Sequence, residues 1–114
     1  MEAKELRIGN YYDGVRGIEQ LTNAESLQEI ESYPEKFKPI PLTEEWLLKF
    51  GLEFEDDLSQ FIKVLGYDFG EFILHPLVRG GYLFSEGSID KYIEHVHQLQ
   101  NLYFALTGEE LTCE

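Results

Sequence analysis

Residues 71–108 read EFILHPLVRGGYLFSEGSIDKYIEHVHQLQNLYFALTG, and the hydrophobic period changes inside this stretch from about two to about three and a half. Glu71 to Leu77 and Gly81 to Ser85 are rich in aromatic and β-branched residues and are separated by a glycine turn, which predicts two antiparallel strands. Farther on, Tyr92, Val96, Leu99, Tyr103 and Leu106 recur at steps of four and three, and Thr107-Gly108 supplies a stop, so a helix is expected over Val96 to Thr107. Ile89 to Glu94 also alternates as a strand would, which leaves the start of that helix open. Strands gathered in one stretch and followed by a helix predict an α+β fold.

Working outward, Ser59 to Leu65 reads as a further strand of the same meander. Lys63 shares a face with Phe61 and Leu65, which suggests that Ile62 and Val64 point inward and that this strand lies near an edge. Pro76 implies that the next strand ends or lies open there, and Glu53 to Asp57 reads as a charged loop. Upstream, Thr43 is a natural N-cap, Glu44 and Glu45 suit the positive end of a helix dipole, and Leu42 with Leu47 forms a hydrophobic staple. Gly51 and Leu52 complete a Schellman-type close, giving a two-turn helix with Trp46, Leu47 and Phe50 as its buried edge. Thr22 and Glu25 resemble a capping box that opens a short helix before Pro34, and Glu5 to Leu21 reads as a hairpin that turns at Asn10 to Gly14. The expected whole is a small antiparallel sheet, built from the N-terminal hairpin and a central three-stranded meander, packed with two to three short helices.

At 114 residues, 13.3 kDa and 43% hydrophobic, the chain carries apolar material for one domain spanning residues 1–114. Its net charge of -13 opposes direct nucleic-acid binding and adhesion to anionic membranes. The acidity is spread over both halves, and no run of 18 apolar residues occurs. The opening MEAKELRIGN lacks an apolar signal core, and the single cysteine, Cys113, excludes an internal disulfide, so a cytoplasmic setting is expected.

The stretches PIPLTEEWLLKFG (residues 39–51), VHQLQNLYFALTGEEL (96–111) and ELRIGN (5–10) together resemble a group of small uncharacterised proteins from gut Bacteroidetes and their phages and mobile elements. The resemblance implies a genomic setting and no mechanism. Relatives tend to look strand-like before the VHQLQNLYF block, which implies a final strand at Ile89 to Ile93.

Motifs for catalysis are absent: no G-x-S-x-G, H-E-x-x-H, Walker loop or dinucleotide fingerprint occurs. His95 and His97 would share a face only on a strand, Asp68-Phe69-Gly70 has the letters of the kinase magnesium motif without its partners, and Glu53, Glu55, Asp56 and Asp57 lack the spacing of a calcium loop. No catalytic residue, metal ligand or cofactor is therefore expected. What stands out is a charge desert, because no Asp, Glu, Lys or Arg occurs from His95 to Gly108. With Leu99 at the centre of the buried face, Tyr92, Val96, Tyr103 and Leu106 lie within about 60° of it, and His97, Gln100, Asn101 and Phe104 fall on the far side.

Two explanations compete for that far side. Either the helix is central and its amides bond to backbone of the same chain, or His97, Gln100, Asn101 and Phe104 form a surface for a protein partner or a second copy. The leading expectation is a non-enzymatic interaction protein of phage or mobile-element type. Two others stand beside it: an acidic nucleic-acid mimic that blocks a host DNA- or RNA-binding protein, and a small ligand binder or enzyme with a pocket near Tyr11, Tyr12, Trp46 and Arg79.

Overall fold

A computed structural model describes residues 6–14, 17–64, 71–86 and 89–111. The fold is α+β: one two-stranded and one five-stranded antiparallel sheet, packed with three helices. In chain order the elements are β1 (Tyr11–Gly14), β2 (Gly17–Gln20), α1 (Ala24–Ser32), α2 (Glu44–Lys49), β3 (Glu53–Glu55), β4 (Gln60–Val64), β5 (Glu71–Pro76), β6 (Tyr82–Glu86), β7 (Ile89–Ile93) and α3 (Val96–Thr107).

The hairpin and the meander do not share a sheet. β1 and β2 pair only with each other, and the five-stranded sheet runs β3-β4-β5-β6-β7 in simple sequence order. The meander gains its extra strands at its two ends. Glu53–Glu55, expected as loop, forms the short strand β3 opposite Gln60–Ile62, and Ile89–Ile93 forms β7 opposite β6. β5 ends at Pro76, and beyond it the Leu77 N–H donates to the Gly81 oxygen at 3.1 Å to close the hairpin to β6.

Pairing register sets the faces of this sheet. Phe61, Leu74 and Phe84 lie opposite one another across β4, β5 and β6, and with Phe72, Tyr82 and Ile93 they form the buried side. Lys63 pairs with Phe72 and shares that side, so Ile62 and Val64 point outward, the reverse of the expected parity. Lys63 tolerates the inner face because its Nζ donates to the Phe50 carbonyl oxygen at 3.2 Å, which satisfies the C-terminal end of α2.

α2 follows its local signals closely. Thr43 is its N-cap residue by backbone conformation, without a side-chain cap bond, and Leu42 and Leu47 are both buried as a staple requires. Gly51 adopts φ +88°, which lets its N–H donate to the Leu48 oxygen at 3.1 Å and the Leu52 N–H to the Leu47 oxygen at 3.0 Å. These are the two bonds of a Schellman close. α1 begins one residue later than expected: Asn23, not Thr22, is the N-cap, and its Oδ1 accepts from the Ser26 N–H at 2.9 Å.

α2 and α3 lie against the buried side of the sheet around Leu47, Phe50, Phe72, Leu74, Phe84 and Leu99. Tyr12, Leu21, Ile30 and Phe37 make a second, smaller core between the hairpin and α1. Residues 40–42 are tied to the β7–α3 junction, as the Leu42 N–H donates to the Glu94 oxygen and the Val96 N–H to the Ile40 oxygen. Leu65, the Asp68-Phe69-Gly70 triplet and Cys113 lie outside the described residues.

Candidate functional site

α3 is the most informative element because its sequence puts amides where a surface helix carries charge. Its start is fixed at His95: the Gln98 Oε1 accepts from the His95 N–H at 3.0 Å and the Glu94 N–H at 2.8 Å. Its end is fixed at Gly108, whose φ of +74° lets the N–H reach the Phe104 oxygen at 2.8 Å.

Between these ends the helix turns a different face inward than the apolar wheel predicts. Val96, Leu99 and Tyr103 are buried as expected, but Tyr92 is 49% exposed and Leu106 40%. Gln100 is instead fully buried, and His97 nearly so. For Gln100 the cause is the segment before β1, which lies along the helix. The Tyr11 N–H donates to Gln100 Oε1 at 2.9 Å, and Gln100 Nε2 donates to the Gly9 carbonyl at 2.9 Å, so one side chain satisfies a donor and an acceptor of buried backbone. One turn on, Asn10 Nδ2 donates to Asn101 Oδ1 at 2.8 Å. Gly9, at φ +104°, makes the turn that brings this segment in, and a Cβ there would stand 3.0 Å from the Glu110 carboxylate.

Arg7 closes the same seam. Its guanidinium holds the Glu110 carboxylate through two nitrogens at 2.5 and 3.0 Å, donates to the Gln100 carbonyl at 3.3 Å, and lies 4.2 Å from the centroid of the Phe104 ring. Gln100 and Asn101 thus bond to residues 7–11, and Phe104 lies against the Arg7 guanidinium while staying 39% exposed, so the three do not form one open far side. His97 lies apart from them, with its ring parallel to that of His95 at 5.8 Å.

The other side of the helix presents Gln98, Ala105 and Leu106 to solvent, with Asn101 and Leu102 half-buried between them. It carries no charge. It borders a groove of about 440 Å³ walled by Lys91, Tyr92 and Ile93 of β7 and by His97, Gln98, Asn101 and Leu102 of α3. β7 is the last strand of its sheet, and among the described residues its only strand partner is β6. The groove therefore joins an uncharged helix face to a sheet edge. Sequence reasoning found the charge desert but missed this groove; the signal available for it was the alternation of Ile89–Glu94 immediately before the helix.

The residues expected for a small-ligand pocket separate. Tyr11 packs on Trp46 and Phe50 at 5.4 and 6.3 Å, whereas Tyr12 turns the other way, onto Phe37. Arg79 sits in the β5–β6 turn beside Val78 and Tyr92. Among the described residues no group of three His, Cys, Asp or Glu is arranged to hold a metal ion, and no helix is long and apolar enough to cross a membrane.

Three tyrosine hydroxyls are held neutral beyond their ordinary range. Burial pushes Tyr12 up to about 12, helped by its hydrogen bond to Glu19 and the negative charges of Glu19 and Glu29. Burial also raises Tyr82, with Glu44 adding to it, and Tyr103, with Glu109 adding to it. A group that keeps its proton longer when folded contributes stability below its unfolded pKa and loses it as pH rises through the folded value. Stability is thus expected to fall from about pH 10 upward. Tyr12→Phe should weaken that fall, as measured by urea midpoints across the alkaline range.

These features define an α+β domain with a groove between its last strand and its last helix, whose helix wall is uncharged and whose strand wall carries Lys91. Comparison with family models, with curated proteins and with solved structures gives no match, so the groove and the amide seam are read on their own geometry.

Proposed function

We propose that the protein is a non-enzymatic interaction domain whose α3–β7 groove takes an extended segment of a protein partner. The observation that carries this reading is the uncharged strip of α3, with Gln98 and Ala105 exposed and Asn101 and Leu102 half-buried between them, beside a terminal strand in a chain of net charge -13. Interface centres are depleted in charge in this way. A terminal strand offers backbone donors and acceptors to an added strand, and an adjoining groove can select its side chains. The opposite terminal strand, β3, is three residues long and acidic, a design that discourages pairing.

Charge complementarity specifies the occupant. The acidic domain attracts basic sequence at long range, while the uncharged helix wall of the groove accepts an uncharged centre. The expected partner segment is therefore extended, basic at its ends, and apolar or amide-bearing in the middle. The setting expected for residues 39–51 and 96–111, gut Bacteroidetes and their phages and mobile elements, suits an accessory protein acting in a host cytoplasm.

Panning short random peptides against the protein, with counter-selection on Ala105→Arg, tests this directly. Ala105 is exposed and Arg is a good helix former, so the substitution leaves the fold intact. Phe104 and Asn101 are less suitable targets because they hold residues 7–11. Peptides of the stated composition should emerge and bind the variant about tenfold more weakly or worse. Enrichment of peptides that bind wild type and variant alike would refute the groove. The competing reading, an acidic mimic of nucleic acid, predicts instead a basic partner lost steeply with salt and indifferent to residue 105.

A further inference from the structure

α2 and α3 pack on the inner side of the five-stranded sheet and α1 packs on the hairpin, so among the described residues no helix covers the outer side. Cross-strand pairing places Ile62 opposite Ile73 there, and sets Leu83 between His75 and Tyr92. Val64 follows two residues beyond Ile62 on the same side of β4. Ile62, Ile73 and Leu83 are half-buried and belong to neither core, while Val64 and Tyr92 are exposed. A sheet with one side in water alternates apolar and polar residues. Phe61-Ile62, Phe72-Ile73-Leu74 and Tyr82-Leu83-Phe84 are instead unbroken apolar runs, the pattern of strands covered on both sides.

The outer apolar positions form a diagonal, from Val64 on β4 through Ile62 and Ile73 to Leu83 on β6 and Tyr92 on β7. Carboxylates flank it on both sides, Glu53 and Glu55 of β3 on one and Glu71 of β5 with Asp90 of β7 on the other. Lys63 and Lys91, the lysines of these strands, pair with Phe72 and Phe84 and so lie on the inner side.

We infer that this outer face docks an amphipathic helix of a partner protein, apolar along the contact and bearing Lys or Arg on both flanks. The backbone groups of the central strands are spent on the ladders, so the occupant must satisfy its own backbone, as a helix does. At ordinary strand and residue spacings the diagonal is about 20 Å long, the length of a helix of about 13 residues. Charge selects the source. A second copy would set one carboxylate rim against another in chains of net charge -13, whereas basic flanks complement both rims. The groove lies on the other side of the sheet, so the two surfaces stand or fall independently.

A display library of helical peptides of about 14 residues tests this, with apolar residues fixed at i, i+3, i+4, i+7 and i+11 and the other positions varied among Lys, Arg, Glu, Gln and Ala. Selection on the full chain should enrich Lys and Arg beside the apolar stripe. A selected peptide should shift the amides of Ile62–Val64, Glu71–His75 and Leu83 in the labelled protein and leave those of α3 in place. Because any cationic peptide gathers around so acidic a chain, the deciding comparison is between two exposed apolar residues changed to the same charge. Val64→Arg, on the diagonal, should weaken binding about tenfold or more, whereas Ile18→Arg, on the hairpin, should leave it unaltered. Equal weakening by both, shifts centred on α3, or a selection that yields no binder would overturn the assignment. A wild-type dimer in sedimentation that Val64→Arg dissolves would also overturn it, in favour of a second copy.

Discussion

Gln100→Leu should lower the stability of the protein by about 3 kcal/mol, the sum expected when a buried backbone donor and acceptor both lose their partner. The side chain is fully buried and bonds to the Tyr11 N–H and the Gly9 oxygen. Leucine fills a similar volume and offers neither bond. The exchange therefore isolates the polar role of the residue from its packing. With a slope of about 1–3 kcal/mol per molar urea for a small domain, the midpoint should fall by roughly 1–3 M. A change smaller than a few tenths of a molar would show that the seam between residues 7–11 and α3 is not part of the folded core. The opposite substitution, Gln98→Leu on the solvent side of the same helix, removes only exposed cap bonds and should cost much less.

Phe72→Ala should be costlier still, at about 4 kcal/mol, within the range for removing a buried ring and leaving a cavity. Phe72 is fully buried in β5, stacked on Phe84 at 5.0 Å and set edge-to-face against Tyr103 of α3 at 5.4 Å. It is thus the point where the sheet meets the last helix, and its loss also removes two aromatic contacts. A domain of this size has a total stability of about 5–15 kcal/mol. Phe72→Ala should leave it close to half unfolded at moderate urea. Phe54→Ala, on the short terminal strand and 41% exposed, should shift the same denaturation curve little.

Sequence reading succeeded where the determinants are local. The staple, cap residue and Schellman close of α2 all involve residues within ten positions of one another, so Leu42, Thr43, Leu47, Gly51 and Leu52 announce the helix without knowledge of its neighbours. The extent of α3 was legible for the same reason. What the sequence did not disclose depends on contacts between distant residues. The wheel placed Gln100 outside because it ranks side chains by polarity, but a buried backbone needs polar partners, and Gln100 meets that need 89 residues away from Tyr11. Lys63 misled in a related way: its charge suggested an outward strand face, whereas its long stem lets the ammonium reach the end of α2 from within. Glu53–Glu55 looked like loop because two of its three residues are acidic, yet a terminal strand with solvent-facing carboxylates needs little apolar sequence.

The site was half legible. The absence of charge from His95 to Gly108 singled out α3, and the structure shows the explanation of a central helix on one of its sides, while an interaction surface on the other is the proposal made above. The Gln100 side is bonded to the chain's own backbone, which is the explanation of a central helix. The Gln98–Ala105 side is open, which is the feature that supports an interaction surface. Dividing one uncharged helix between these two sides required the position of residues 7–11, and nothing in the spacing of α3 encodes that.

The most direct test is an amide chemical-shift map of a selected peptide bound to the labelled protein, recorded at low and high salt. A groove-binding peptide should perturb Ile89–Ile93 and Gln98–Leu106 and little else, with the same pattern at both salt concentrations. Perturbations centred on the acidic stretches Glu25–Glu31 or Glu53–Asp57, fading as salt is raised, would contradict the groove and favour an acidic mimic.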